Sequence, residues 1–229
     1  MSAPAPAAAA FREIVLGSNS KLWRALARSP RLVQRFRIAI GHRDLPRFEF
    51  RREDRVWVFA YSRRQSENSA VLERLQRAAV SEVVYVSSAT TIVTRLTRCY
   101  RYPRVKQLAE QEARQRLGAR ILSLGIVYES AAELPGGSNA ATALASIEEF
   151  MLAPHWPSDD GNAMHLFEIV QQPFASQREA RLQRLYDAIQ WRVRRYPCAL
   201  RPLDLLLRSL GIRWYGYVQL SNRLWSSTK

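Results

Sequence analysis

Three residue types whose combination could do chemistry fall within one stretch of the sequence, EVVYVSSATTIVTRLTRCYRYPRVK, residues 82–106. An apolar run, Val83-Val84-Tyr85-Val86, ends in Ser87-Ser88. Tyr102 follows fourteen residues after Ser88, and Lys106 four residues after that. A spacing of four puts Tyr102 and Lys106 on one face of a helix. An ammonium beside a phenol favours the phenolate and lowers its pKa, which suits a tyrosine that moves protons near neutral pH. A buried strand ending at Ser88 would deliver a hydroxyl to the same point. Of 35 basic residues only Lys21, Lys106 and Lys229 are lysines, so a lysine here stands out against an arginine background. The two are not interchangeable, because guanidinium is a planar fork and ammonium a compact point charge.

Other constellations carry less. Cys99 and Cys198 make no disulfide framework, and His42, His155 and His165 are scattered without metal-ligand spacing, so no metal site is expected. Glu148-Glu149 would point about 100° apart on a helix, which suits solvation better than acid–base pairing. Asp159-Asp160-Gly161-Asn162 lacks the ligand periodicity of a calcium loop and reads as a turn. No Gly-x-Ser-x-Gly elbow surrounds Ser87 or Ser88, which argues against a hydrolase nucleophile.

The elements that must position the Ser, Tyr and Lys read as alternating short apolar runs and helices. Glu13–Leu16 is a strand, followed by a turn at Gly17 and a helix that Ser18, Asn19 or Ser20 could cap. A strand–Gly–helix opening is where α/β folds bind a cofactor phosphate. Phe36–Ile40 is a second strand, residues 47–52 (RFEFRR) a short third, and residues 56–60 (VWVFA) a fourth apolar run. A helix over 67–79, the strand 82–88, a helix to about Leu117 and one strand over 119–128 complete this half. The pattern predicts an α/β fold with a doubly wound parallel sheet. Beyond it come a turn-rich connection over 131–137, a helix from Ser138 to about Leu152, a loop over 153–163 and a strand over 164–171. An amphipathic helix over 177–195 has Leu182, Leu185, Tyr186, Ile189 and Val193 as its inner stripe. Pro197 and Pro202 bracket a break before a short helix ending at Gly211. The expected organisation is a tail over residues 1–10, a nucleotide-binding domain over 11–130 and a smaller, mainly helical substrate-side region over 131–229.

Composition sets the bounds. An apolar content of 47% supports a real core, and no run of 18 apolar residues suggests a membrane span. The segment MSAPAPAAAA lacks the basic and strongly hydrophobic parts of a signal peptide, and a cytoplasmic location is expected. Net charge is +15, and residues 178–229 hold eleven Arg/Lys against three Asp/Glu. Such charge attracts phosphorylated small molecules, anionic lipid or nucleic acid. The C-terminal aromatics (Trp191, Trp214, Tyr215, Tyr217, Trp225) come with no RNA-binding signature, and nucleic acid is not the expected partner. Contact with the inner face of a membrane and a homodimer are both compatible with this composition.

VVYVSSATT, Tyr-x-x-x-Lys and the following LAEQEA together resemble the short-chain dehydrogenase/reductase superfamily. The likeness is greatest to its extended branch of NAD-dependent sugar-nucleotide epimerases and dehydratases. The resemblance runs from about residue 12 to residue 128. It implies a Rossmann-like domain in which Ser88 is the active-site hydroxyl, Tyr102 the acid/base and Lys106 the cofactor-ribose and pKa-tuning residue. Thr90 matches a substrate-side hydroxyl. VWVFAY is similar to the family's fourth strand, which implies Ala60 and Tyr61 as cofactor neighbours, with Gly17, Ser18, Asn19 and Ser20 at the phosphate turn. Arg43 would take a 2′-phosphate and favour NADP, whereas Asp44 would hold a ribose and favour NAD. The implied substrate is a nucleotide sugar, in surface polysaccharide biosynthesis.

The sequence departs from this family in several places: the stretch between the second and fourth strands and the Ser88-to-Tyr102 distance are short, Ser123 stands where an Arg often sits, and the phosphate loop is altered. Of the Gly-x-x-Gly-x-x-Gly loop only Gly17 is present; Ser20 and Trp23 stand at the other two positions, where they are expected to crowd a dinucleotide. An alternative follows: a degenerate Rossmann-like protein that binds a nucleotide or a protein partner without turnover.

Overall fold

A computed structural model of the chain describes residues 11–156, 163–210 and 216–228. The expected tail over 1–10, the Asp159-Asp160 turn, Gly211, Trp214 and Tyr215 lie outside the described residues. The first half runs β1 (Glu13–Leu16), α1 (Lys21–Leu26), α2 (Pro30–Arg35), β2 (Ile38–Ile40), β3 (Arg55–Val58), α3 (Gln65–Arg77), β4 (Glu82–Ser88), α4 (Arg101–Leu117) and β5 (Arg120–Leu124). The second half runs β6 (Ile126–Tyr128), β7 (Gly137–Ala143), α5 (Leu144–Leu152), β8 (Ala163–Leu166), β9 (Glu168–Gln172), α6 (Gln177–Val193), α7 (Pro197–Ser209) and α8 (Gly216–Ser227).

Six strands form one parallel sheet in the order β2-β1-β3-β4-β5-β8. The chain moves outward from β1 to β2, then returns to build β3, β4 and β5 on the other side of β1. With right-handed crossovers, that reversal sends the connecting helices to opposite faces. Leu72 and Leu75 of α3 and Ala109 and Ala113 of α4 pack on one face with Ile14, Val56, Tyr85 and Ile121. Trp23 and Leu26 of α1, Leu32 of α2 and Ile147 and Phe150 of α5 pack on the other with Val15, Trp57, Val84 and Leu122. The architecture is Rossmann-like and doubly wound. Its sixth strand, β8, comes from beyond residue 130, so the sheet draws on both halves of the chain. A second sheet, β6-β7-β9, lies beyond its end.

Several expectations change. Residues 47–52 form no strand; a single 3-10 turn, Leu45–Arg47, leads into irregular chain. Side chains take up the carbonyls that a neighbouring strand would need. Arg74 donates to Pro46 O and Phe48 O, and Arg12 to Glu49 O, while Phe48 and Phe50 pack edge to face, 4.9 Å apart. The single strand over 119–128 is two strands in two sheets, divided at Gly125. A Cβ on Gly125 would lie 2.3 Å from Ala140 O, so only glycine permits that crossing. The expected helix from Ser138 is β7 for its first six residues, with Asn139, Ala140 and Ala141 almost wholly buried. Tertiary contact overrides alanine's helix preference: Ala140 N donates to Asn222 Oδ1 at 3.0 Å. The strand over 164–171 likewise divides into β8 and β9. Pro197 starts α7, where a missing N–H costs nothing, and Pro202 lies inside that helix. The expected inner stripe of α6 holds at Tyr186, which is buried, but Leu185 is 59% accessible and Leu182 and Ile189 are also exposed, while Gln190, outside the stripe, is buried.

Candidate functional site

In a doubly wound sheet, ligands bind beyond the carboxyl ends of the strands, where the winding reverses. Here that point lies between β1 and β3. The two strand ends are tied together, with Phe59 N and Ala60 N both donating to Leu16 O, at 2.8 and 3.0 Å. Gly17 turns the chain with φ +109°, and a Cβ there would stand 2.6 Å from Ala60 N. Close strand packing by itself demands this glycine. Ser20 then caps α1 by accepting from Trp23 N at 3.0 Å. Trp23 points into the core, against Phe36 and Phe59, with centroids 5.8 and 5.9 Å away. Its indole is therefore not in the cleft, contrary to the crowding expected of it.

The resulting cleft has a volume of about 480 Å³. Gly17, Asn19 and Ser20 line it from the first turn, His42 from the turn after β2, and Ala60, Tyr61 and Ser62 from the turn after β3. Asn68 of α3 pins that last turn by accepting from Ser62 N at 2.8 Å and donating to Ser62 O at 3.0 Å. Ser18 hydrogen-bonds Ile40 O through its backbone N–H. Arg43 is exposed on the turn after β2 and outside the lining, where His42 stands in its place.

The other predicted group comes together at the end of β4. Ser88 is the last residue of the strand, and its Oγ lies 3.0 Å from Thr90 Oγ1 and accepts from Thr90 N at 3.3 Å. Tyr102 and Lys106 occupy successive turns of α4, as the spacing predicts. Burial raises the Tyr102 pKa above its ordinary value, and a hydrogen bond with Ser88 works against that rise. Lys106 is 6% exposed and donates to Val86 O at 2.8 Å. Its ammonium lies over the rings of Tyr61 and Tyr85, at 5.2 and 5.1 Å. Desolvation lowers its pKa to about 8, and the charge of Glu110 works the other way. The expectation that Lys106 depresses the Tyr102 pKa is not met in this geometry: the ammonium faces a strand carbonyl and two other rings, and burial raises the Tyr102 pKa.

Some contributors were not anticipated. Glu110 accepts from Ser87 Oγ at 2.8 Å; it stands four residues after Lys106, so helix spacing could have found it. Tyr217 of α8 stacks on Tyr102 with centroids 5.6 Å apart, and Trp225 Nε1 donates to Ala89 O at 2.9 Å. Both arrive from more than a hundred residues away, and no local signal announces them. Among the described residues there is no cluster of His, Cys, Asp or Glu that could hold a metal ion, and no helix long and apolar enough to cross a membrane.

No family model and no curated protein matches the chain. Solved structures do. One is the Bordetella bronchiseptica enzyme WbmG in complex with NAD and UDP: 9% identity, TM-score 0.49, covering 71% of this chain and 75% of that one. Another is the dTDP-glucose 4,6-dehydratase DesIV from Streptomyces venezuelae, with NAD bound: 14% identity, TM-score 0.49, covering 68% and 75%. A third is a UDP-glucuronic acid 4-epimerase variant from Bacillus cereus, in complex with NAD and a fluorinated UDP-sugar: 12% identity, TM-score 0.48, covering 69% and 78%. The likeness is one of fold.

A nicotinamide dinucleotide suits this arrangement at one end and meets a cover at the other. The cleft at the strand switch offers polar side chains, a glycine turn and the start of α1 to a phosphorylated nucleoside. Tyr61 also lines it, and the Tyr61 hydroxyl is shielded from solvent without a hydrogen-bond partner. On the side toward Lys106 the cleft wall is Tyr61, whose ring centroid lies 5.2 Å from the Lys106 ammonium.

Proposed function

We propose that the chain is a nicotinamide-dinucleotide-dependent enzyme acting on a hydroxyl of a nucleotide sugar, as an epimerase, reductase or dehydratase. The observation that carries this reading is the convergence of Ser88, Tyr102 and Lys106 at the end of β4, beside a cleft at the winding reversal of the sheet. NAD or NADP, when bound, supplies the hydride chemistry. The nucleoside and phosphates would lie against Gly17, Ser18, Asn19 and Ser20, with His42 and Ala60 flanking them. Tyr102 would take the proton from the substrate hydroxyl, and Ser88 would hold the same oxygen in line, itself oriented by Thr90. The buried Lys106 would meet the cofactor ribose.

Incubation with NAD or NADP and a panel of UDP-, GDP- and dTDP-sugars tests this directly. Turnover should fall by about 10²- to 10⁴-fold in Tyr102→Phe, with dinucleotide binding retained. Undiminished turnover in Tyr102→Phe would sink the mechanism.

A second reading, nucleotide binding without turnover, is favoured by the state of Lys106, which is tied to Val86 O and roofed by Tyr61. A nucleotide sugar that binds tightly, with no dinucleotide uptake under any condition, would select it.

A further inference from the structure

Tyr61 belongs to both halves of the site and joins neither to the other. Its ring lines the cleft, meets Tyr102 edge to face with centroids 5.1 Å apart, and lies 5.2 Å from the Lys106 ammonium. Its backbone turn is pinned through Ser62 by Asn68, so a change of position falls to the side chain alone. Two features keep the present position from being a deep minimum. The Tyr61 hydroxyl is buried without a partner, and a buried polar group in that state gives up its hydration with no return. The ring also shields Lys106 from water, which disfavours the charged ammonium. Against these stand one aromatic contact, with Tyr102, and one cation–π contact, with Lys106.

We propose that Tyr61 partitions the site: as it stands the cleft takes a mononucleotide, and a dinucleotide reaches Lys106 only when the Tyr61 ring swings aside. The proposal rests on the dinucleotide reading given above for its ligand, and on geometry alone for the cover. Apparent affinity for a ligand that needs a minor conformer falls by the fraction of that conformer. Dinucleotide binding therefore carries a penalty that mononucleotide binding escapes.

Calorimetry on the full chain with ADP and with NAD, for the wild type and Tyr61→Ala, reads this partition. NAD affinity should rise about tenfold or more relative to ADP affinity, whatever Tyr61 itself contributes to both as part of the cleft wall, the factor expected if the open ring position is populated below one-tenth. An unchanged ratio of the two affinities would overturn the partition. Acylation of amines followed by mass spectrometry, with no nucleotide present, reads the cover separately. Lys106 should label faster in Tyr61→Ala than in the wild type, with exposed Lys21 as the internal standard. Tyr61→Phe, which keeps the ring and removes the unpartnered hydroxyl, should label as slowly as the wild type. Unchanged Lys106 labelling in Tyr61→Ala, or fast labelling in Tyr61→Phe, would overturn the cover. Faster labelling without binding of ADP or NAD to either protein would retain the cover, overturn the partition of nucleotides, and remove the dinucleotide reading with it.

Discussion

The six-stranded sheet and the C-terminal helices are held together by different means. Ile14, Val15, Val56, Trp57, Val84 and Leu122 of the sheet are at most 1% exposed, and the helices on either face add further apolar side chains. In the C-terminal layer polar side chains share the interior with apolar ones such as Tyr186, Leu200 and Leu220. Gln190, Gln219, Ser221 and Asn222 are buried, while Leu185, Leu205, Leu206 and Leu210 are exposed. Gln190 Nε2 donates to Gly216 O at 2.6 Å and to Tyr186 Oη at 3.2 Å, and Tyr186 Oη donates to Asp204 Oδ1 at 2.6 Å. Burial of apolar surface is non-directional and tolerant of small errors, whereas a buried polar network depends on each partner being in place. The sheet thus secures the fold, and the C-terminal layer secures the position of a few residues around Tyr102. Loss of function should precede loss of fold when that layer is damaged.

The contrast can be broken by substitution. Leu122→Ala opens a cavity in the sheet core and should cost about 2–5 kcal/mol in denaturant unfolding; a smaller loss than any polar change in the C-terminal layer would reverse the assignment of roles.

Lys106, on α4 where it packs on the sheet, is the exception among these apolar side chains, and Lys106→Met should stabilise the protein by up to roughly 3 kcal/mol at pH 7, the equivalent of a pKa lowered from 10.5 to about 8. Between those two values the unfolded chain binds more protons than the folded one, so wild-type stability should rise as pH climbs from about 8 to 10.5. Below about 8 both states are protonated and the penalty is present in full. Melting curves of Lys106→Met should lack that rise.

Asn222→Ala removes the acceptor for Ala140 N and should cost about 1–3 kcal/mol. Near-ultraviolet circular dichroism should report disturbed packing of Tyr217 and Trp225 before the far-ultraviolet signal of the sheet changes. The smallest effect belongs to Leu185→Glu, expected to move stability by no more than about 0.5 kcal/mol. A large loss there would show that the exposed face of α6 is covered in solution.

The same contrast governs what could be read from the sequence. β1, β3 and β4 were legible because apolar runs in a parallel sheet are continuous, and α4 because Tyr102, Lys106 and the following residues keep a helical period. The segment 47–52 misled because its alternation of Phe with charged residues imitates a strand while its carbonyls are held by Arg12 and Arg74. Residues 138–143 misled because small residues favour a helix locally and were instead needed at a crowded crossing beside Gly125. Ser88, Tyr102 and Lys106 could be located from spacing, but the direction of the Lys106 ammonium could not. It depends on Tyr61 and Tyr85, which approach from the turn after β3 and from β4. Trp23 at a glycine position suggested a blocked cleft, and only the three-dimensional path of α1 shows it turned into the core.

The bond from Trp225 to Ala89 O joins the last helix to the residue directly after Ser88. During synthesis, every strand of the main sheet has been made well before that helix exists. A nascent chain can therefore hold a nearly finished sheet while the turn beyond Ser88 still lacks its clasp, and the tyrosine stack around Tyr102 still lacks Tyr217. The surroundings of Tyr102 are therefore completed only after the cleft beyond β1 and β3 has taken shape.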